Sequence, residues 1–326
     1  MPKRVYCPDC KRAIIDARYG ACRVCWFGRL KAIEDAKARQ RNYAQHILVT
    51  GDCAVVADIH VPYQNSELLA DMVDESERHG IRKLVIGGDL IDWEEISRFQ
   101  QRDPNGDPTD SLRQAVQLLE LLSRQYDRII CIRGNHELRL ERMMDQAVSG
   151  YNKAQRFLSR FEQRDIQSMP YQHRYHQVLD GWTSEIAPSL KGKVQWLSDA
   201  QVEIEGPAGE RPWRFMHQKT GSRNPTIEAR HHWQRWLQPI ICTHTHLWGV
   251  VLAPDGKTPL VQLGTSTVEG LHEYTWREPT GWPTWVSGFG LIRQGVLTLY
   301  PKSPYLDLRT VIPATSPRKP RGRKRG

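Results

Sequence analysis

No stretch of about 18 consecutive apolar residues occurs in the 326-residue chain, so no segment reads as a membrane-spanning helix. The opening MPKRVYCPDC also lacks the apolar core of a secretory signal, and the expectation is a cytoplasmic protein. Cysteine is scarce, with seven residues, and in a reducing compartment these serve as thiols or metal ligands rather than disulfides. No internal repeat is visible. What is present, 326 residues with 39% hydrophobic content, suffices for one large domain with small additions.

The net charge of +9 is unevenly placed. Residues 1–45 carry +7 and residues 318–326 carry +6, while the long middle, 46–317, is mildly acidic at −4. Basic ends of this kind are handles for a polyanion, which makes nucleic acid the expected partner. Four of the seven cysteines fall at the start, as Cys7-x2-Cys10 and Cys22-x2-Cys25. Four thiolates meet the tetrahedral demand of a structural Zn²⁺, and a segment too short to build a core needs such a metal to hold it. The segment resembles a zinc ribbon. The run FGRLKAIEDAKARQRNYAQH is rich in helix formers without proline and predicts a helical connection. The closing PRKPRGRKRG combines Pro, Gly and like charges and predicts disorder.

Between these ends the pattern alternates. CAVVADIH, KLVIGGDLID and RIICIRGNHE each contain a short apolar run that predicts a buried strand. SELLADMVDESERHG predicts a helix capped by Ser66 and stopped at Gly80. DSLRQAVQLLELLSRQY predicts another, capped by Asp110, with Leu112, Val116, Leu119 and Leu122 on one face. Strand alternating with helix implies parallel pairing and an α/β fold. Past residue 170, WRFMH, PIICTH, TPLVQLG and GVLTLY predict strands, and PTIEARHHWQRWL is the one clear helix. Cys53, Cys131 and Cys242 lie inside apolar runs and read as buried, inert thiols.

The apolar run IIC is followed by THTH, and on an extended chain His244 and His246 would share a face. With 12 histidines in the chain an H-x-H arises by chance in about half of such sequences, so the pair needs company. Four other apolar runs supply it, ending in Asp58-Ile59-His60, in Gly88-Asp89 through Asp92, in Gly134-Asn135-His136-Glu137, and in His217. Ligands gather beyond the carboxyl ends of strands in α/β sheets, so the five blocks could converge. Asp, His and Asn together suit divalent first-row or Mg-like cations.

These blocks, in this order, resemble the calcineurin-like metallophosphoesterase superfamily: D-x-H, G-D, G-N-H-D/E, a lone His, then G-H-x-H. Thr243 stands where the family usually has Gly, and Trp93-Glu94 follow Asp92 where the protein Ser/Thr phosphatase branch has Arg-Gly. The resemblance implies a four-layer α/β/β/α sandwich. With it the chain divides into a zinc-ribbon-like module (1–26), a helical linker (27–46), a calcineurin-like phosphoesterase domain (47–305) and a disordered basic tail (306–326).

It also implies a binuclear centre. One cation would be held by Asp58, His60, Asp89 and His246, the other by Asp89, Asn135, His217 and His244. The cations would be Mn²⁺, Fe²⁺, Zn²⁺ or Mg²⁺, and a hydroxide bridging them would attack phosphorus in line. His136 would protonate or stabilise the leaving group, and Asp92 and Glu137 would orient ligand histidines. His231, His232 and His272 compete with His217 for the lone-histidine role, but the first two fall within the predicted helix while His217 ends an apolar run. The basic ends and the family's DNA-repair exonucleases point to a phosphodiesterase acting on nucleic acid. A phosphomonoesterase, suggested by the G-N-H-E block and the acidic body, and a non-catalytic scaffold are the alternatives. Trp276, Trp282 and Trp285 either pack down their Pro/Gly-rich loop, 274–288, or line a substrate rim. The segment 151–182 carries no legible motif.

Overall fold

The computed structural model describes residues 47–97, 106–148, 171–219, 221–222, 224–268, 285–302 and 310–311. The chain separates into two units, Met1–His46 and Ile47–Gly326. The cysteines of the expected zinc module, the linker helix and most of the expected basic tail (306–326) lie outside the described residues. Thr310–Val311 of that tail form a strand paired with Thr298 and Leu299, so the expected disorder from residue 306 onward is corrected there.

The apolar runs become strands. β1 (Leu48–Val49) precedes β2 (Cys53–Val56), β3 (Lys83–Ile86), β4 (Arg128–Cys131) and β5 (Val194–Trp196), and the last four pair in parallel. β6 (Gln201–Ile204), β7 (Trp213–Met216), β8 (Ile240–Cys242), β9 (Trp248–Leu252) and β10 (Pro259–Leu263) follow. The chain returns through β11 (Ser287–Arg293), β12 (Val296–Lys302) and β13 (Thr310–Val311). One sheet runs β13-β12-β11-β2-β3-β4-β5 and the other β1-β6-β7-β8-β10-β9.

Side-chain alternation along these strands builds four layers. Val55, Val85 and Ile130 point inward and pack with Phe215, Ile241 and Val261 of the opposite sheet. Their neighbours Val56, Leu84, Ile86 and Ile129 point outward, against α1 (Ser66–Arg78) and α2 (Pro108–Leu122). Met216, Ile240, Cys242 and Leu260 cover the outer face of the second sheet, under α5 (Ile227–Trp236). The order is therefore α/β/β/α, as expected. Residues buried on both faces explain why the strands read as unbroken apolar runs. Cys53, Cys131 and Cys242 are all buried, and burial pushes the Cys53 thiol up to about 12 and the other two upward as well, so none is a thiolate.

Several local expectations are corrected. α1 is capped by Asn65, whose side chain accepts from Leu68 N–H at 3.1 Å, so Ser66 is the first helical residue and not the cap. α2 begins at Pro108 with Asp107 as its cap, because proline suits the first helical turn; Asp110 lies inside that turn. Leu112, Val116, Leu119 and Leu122 are all buried, as their spacing requires. Two helices had no sequence expectation. α3 (Glu137–Val148) starts directly after the G-N-H block, and α4 (Tyr171–Ile186) occupies part of the segment that carried no motif. Among the described residues no helix is long and apolar enough to cross a membrane.

α4 also yields a pH-dependent prediction. Asp180 accepts from Trp196 N–H at 2.9 Å, yet burial pushes its carboxyl up to about 6. Between 3.8 and about 6 the folded chain keeps a proton that the unfolded chain has lost, so stability falls as pH rises through this window. Asp180→Asn keeps the acceptor and removes the charge. Thermal melts should show the variant more stable above pH 6, on the order of 1 kcal/mol after discounting for partial solvation, with no difference near pH 4. A gain of equal size at both pH values would show that the charge is not the cause.

Candidate metal centre

Every expected block sits at the carboxyl end of its strand, and the two sheets present those ends to one another. Past β2 and β3 the chain stays zipped: Asp58 N–H donates to Gly88 O at 3.1 Å and His60 N–H to Asp89 O at 2.9 Å. The backbone there is not extended. Asp58, His60, Asp89, His244 and His246 all have positive φ, between 49° and 87°, and they are five of the nine non-glycine residues of this kind among the described residues. Each such residue carries a cost of about 1–3 kcal/mol, and this strain is concentrated where the side chains must converge.

His244 and His246 therefore do not share a face through strand alternation, as the H-x-H spacing suggested. β8 ends at Cys242, and two left-handed residues send the rings to different partners. His246 Nε2 lies 3.1 Å from His60 Nε2 and 3.5 Å from Asp58 Oδ1. His244 instead groups with Asp89 and His217. The two histidines thus fall in separate clusters, Asp58–His60–His246 and Asp89–His217–His244, and a third, His60–Asp92–His136, shares His60 with the first. Asp89 Oδ2 stands between the first two, 3.4 Å from His217 Nε2 and 3.9 Å from His60 Nε2. Asn135 Oδ1 is 2.9 Å from His217 Nε2. All seven expected ligand residues are thus brought together.

Thr243 needs no left-handed backbone, since the positive φ angles fall on the histidines after it. Its hydroxyl, buried, donates to Gly87 O at 2.9 Å beside His217 Nδ1. Gly88 and Gly134 are required by space: a Cβ on Gly88 would meet His217 Nδ1 at 2.6 Å, and one on Gly134 would meet Asp89 Oδ1 at 2.1 Å.

The donor set fits cations. His217 Nδ1 faces the Gly87 carbonyl at 2.9 Å, so it carries the ring proton, and Nε2 turns a lone pair toward the oxygens of Asn135 and Asp89. His60 Nδ1 faces Asp92 Oδ1 at 3.0 Å, which leaves its Nε2 lone pair directed at His246. Two nitrogens on one cation, each at about 2.1 Å, would stand about 3.0–3.4 Å apart, a range that includes the observed separation. Asp58 Oδ1 is buried and accepts no well-formed hydrogen bond. Acceptor atoms crowded in this way are satisfied by positive charge between them, whether ring protons or cations.

The titrating groups respond to this crowding. Burial pushes Asp58 and Asp89 up, but the surrounding histidines outweigh it and hold both below the usual carboxylate range. Asp92 behaves alike, held well down by His136 and His60 against burial. Burial lowers His60 and His244, whereas Asp89 overcomes burial to raise His136 and His217.

Asp92 and Glu137 do different work. Asp92 Oδ1 contacts His60 Nδ1 at 3.0 Å and His136 Nδ1 at 2.9 Å, so it touches a ring beyond the ligand histidines expected of it. Glu137 makes its hydrogen bonds to backbone instead: Gly134 N–H donates to it at 2.7 Å, and those of Asp89 and Leu90 at 2.9 Å each. Burial and Asp89 push its carboxyl up to about 7 even so. The sequence reading passed over Arg139, whose Nη2 stands 3.1 Å from His136 Nε2. Its only sequence signal is its place three residues after His136, one turn along α3. Of the three loop tryptophans, Trp285 packs edge-on against His246 with ring centroids 4.2 Å apart. Trp276, Trp282 and His272 lie outside the described residues, and His231 and His232 lie in α5, apart from both clusters.

Fold and site together define a class: a four-layer α/β/β/α sandwich with paired Asp/His clusters at the strand ends of its two sheets. A family model described as calcineurin-like phosphoesterase matches residues 46–258, and the chain belongs to that family. Among solved structures, a single mutant of Vps29 from Entamoeba histolytica is similar, with 14% identity, 77% of this chain and 91% of that chain covered, and a TM-score of 0.36. A novel archaeal phosphodiesterase shares 10% identity over 77% of this chain and 99% of its own, with a TM-score of 0.36. A putative diadenosine tetraphosphatase shares 15% over 79% and 98%, with a TM-score of 0.35. No curated protein matches the chain.

Proposed function

We propose that the chain is a two-metal phosphoester hydrolase, and within that class a phosphodiesterase acting on nucleic acid. The observation that carries the hydrolase reading is the pair of clusters joined at Asp89 Oδ2. Asp58, His60, Asp89 and His246 would hold one divalent cation, and Asp89, Asn135, His217 and His244 the other. When bound, the two ions would supply Lewis acidity, bringing a water to its nucleophilic form near neutral pH and offsetting the charge of the phosphate.

The chain's own groups do the rest. Asp58 and Asp89 contribute only two negative charges and the histidines none, so the loaded centre stays positive and draws an anion. Asp92 fixes the rings of His60 and His136 through their Nδ1 atoms. Glu137 fixes the backbone that carries Asp89. His136, with Nε2 3.9 Å from Asp89 Oδ2, is assigned to the leaving side of the phosphate.

The preference for nucleic acid is supported by the charge of the ends, +7 over residues 1–45 and +6 over 318–326. A zinc held by Cys7, Cys10, Cys22 and Cys25 belongs to the same proposal, as the frame that presents the N-terminal charges. The monoesterase alternative is favoured by the acidic middle of the chain, which would repel a long polyanion. A panel with Mn²⁺ separates the two: a nitrophenyl diester, the corresponding monoester, and single- and double-stranded DNA and RNA. Hydrolysis of the diester and of at least one nucleic acid is expected. Turnover of the monoester alone would overturn the nuclease reading. Deleting 1–45 or 318–326 should weaken nucleic-acid binding and flatten its salt dependence; an unchanged slope would assign the ends to something else.

A further inference from the structure

The wall of the site beside Asp89 holds a positive charge of unusual setting. Arg139 is half-buried, and its Nη1 donates to Asp92 O at 2.7 Å and to Trp93 O at 3.4 Å. Its Nη2 donates to His136 Nε2 at 3.1 Å. Two of the three partners are backbone carbonyls and the third is a histidine ring. Arg78, Arg82, Arg113, Arg133 and Arg214, by contrast, each sit on a carboxylate, and Arg128 and Arg211, which also donate to neutral acceptors, do so at exposed positions. Arg139 pairs with none among the described residues. A guanidinium has five N–H donors, and with three engaged, one on Nη2 and the one on Nε are left over.

The ring beside it accounts for which group can donate there. His136 Nδ1 faces two acceptor oxygens of Asp92, the carbonyl at 2.6 Å and Oδ1 at 2.9 Å, so the ring proton sits on Nδ1. His136 Nε2 then offers a lone pair, which Arg139 takes. Each ring nitrogen faces a protein group, and the cation on this edge of the site that needs no proton uptake is the guanidinium. Only two short contacts, 3.1 and 3.9 Å, separate it from Asp89 Oδ2. A half-buried guanidinium without a carboxylate keeps its charge available to an entering anion, and its planar fork matches phosphate oxygens.

We propose that Arg139 binds the phosphate group of the substrate, with His136 as its seat; the proposal rests on the phosphoesterase reading above. The test is calorimetric titration of inorganic phosphate into Mn²⁺-loaded wild type, Arg139→Gln and Arg139→Lys, with Mn²⁺ affinity and diester kinetics measured on the same proteins. Loss of charge-assisted hydrogen bonds should weaken phosphate binding by about 10- to 100-fold in Arg139→Gln, with a smaller loss in Arg139→Lys. Mn²⁺ affinity should stay unchanged, and the diester KM should rise more than kcat falls. Unchanged phosphate affinity in Arg139→Gln would overturn the proposal. So would a parallel loss of phosphate and Mn²⁺ affinity in both variants, since Arg139 would then serve only to hold the Asp92–Trp93 loop. Arginine-dependent phosphate binding in a wild type that cleaves nothing in the panel would sink the hydrolase reading and leave this one standing. Normal cleavage with arginine-independent phosphate binding would do the reverse.

Discussion

Asp89→Asn should lower phosphoester hydrolysis by at least about 1,000-fold, which is about 4 kcal/mol of transition-state stabilisation. The substitution is nearly isosteric, and Oδ1 can still accept from His136 N–H, now at 2.8 Å, so the fold should survive. What disappears is the charge on Oδ2, the atom that faces His217 and His60 from between the two clusters. An amide there presents either a weaker oxygen ligand or an N–H donor, and neither holds two cations together. Metal analysis of the purified variant should show loss of at least one bound ion per chain, with the melting temperature within a few degrees of wild type. Wild-type turnover by Asp89→Asn would remove the two-metal mechanism altogether.

The second large effect concerns stability. Glu137→Ala strips the acceptor from the buried amides of Gly134, Asp89 and Leu90, whose donor–acceptor distances are 2.7, 2.9 and 2.9 Å. Glu137 is fully buried, so bulk solvent does not stand in for the lost acceptor. Each stranded N–H costs about 1–3 kcal/mol, and relief of a carboxyl that burial already disfavours returns part of that. The net expectation is a loss of about 3–5 kcal/mol in denaturant unfolding, accompanied by weaker metal binding because the Asp89 loop is released. Glu137→Gln, which keeps one acceptor oxygen and turns the other into a donor, should fall between the two. An alanine variant as stable as wild type would mean that these amides find other partners.

Much of the site was readable before any fold was known. Asp58, His60, Asp89, Asn135, His217, His244 and His246 were all named from blocks that end apolar runs, and the structure gathers them within contact distance of one another. The legibility has a local cause. A strand buried on both faces leaves a short continuous apolar run, and the polar residues just beyond it mark where the chain leaves the core. The reasoning failed where it assumed that regularity continued past the strand. Strand alternation put His244 and His246 on one face, whereas left-handed backbone aims them apart; the resemblance had already assigned them to different cations, and the two clusters separate them in that way. The caps of α1 and α2 were missed by one and three residues, because Ser66 and Asp110 compete with Asn65 and Asp107 and only the hydrogen bonds decide between them.

By itself, then, the sequence determined the alternation of strands and helices, the identity of the candidate ligand side chains and the uneven charge of the two ends, since each of these is written in residue type and short-range period. Only the tertiary structure decided how left-handed backbone aims each ring into its cluster, that Glu137 holds amides rather than a histidine, and that Arg139 stands over His136. The reason is physical. Those relations depend on how two sheets face each other and how strained turns aim side chains across the gap, and neither leaves a period in the chain.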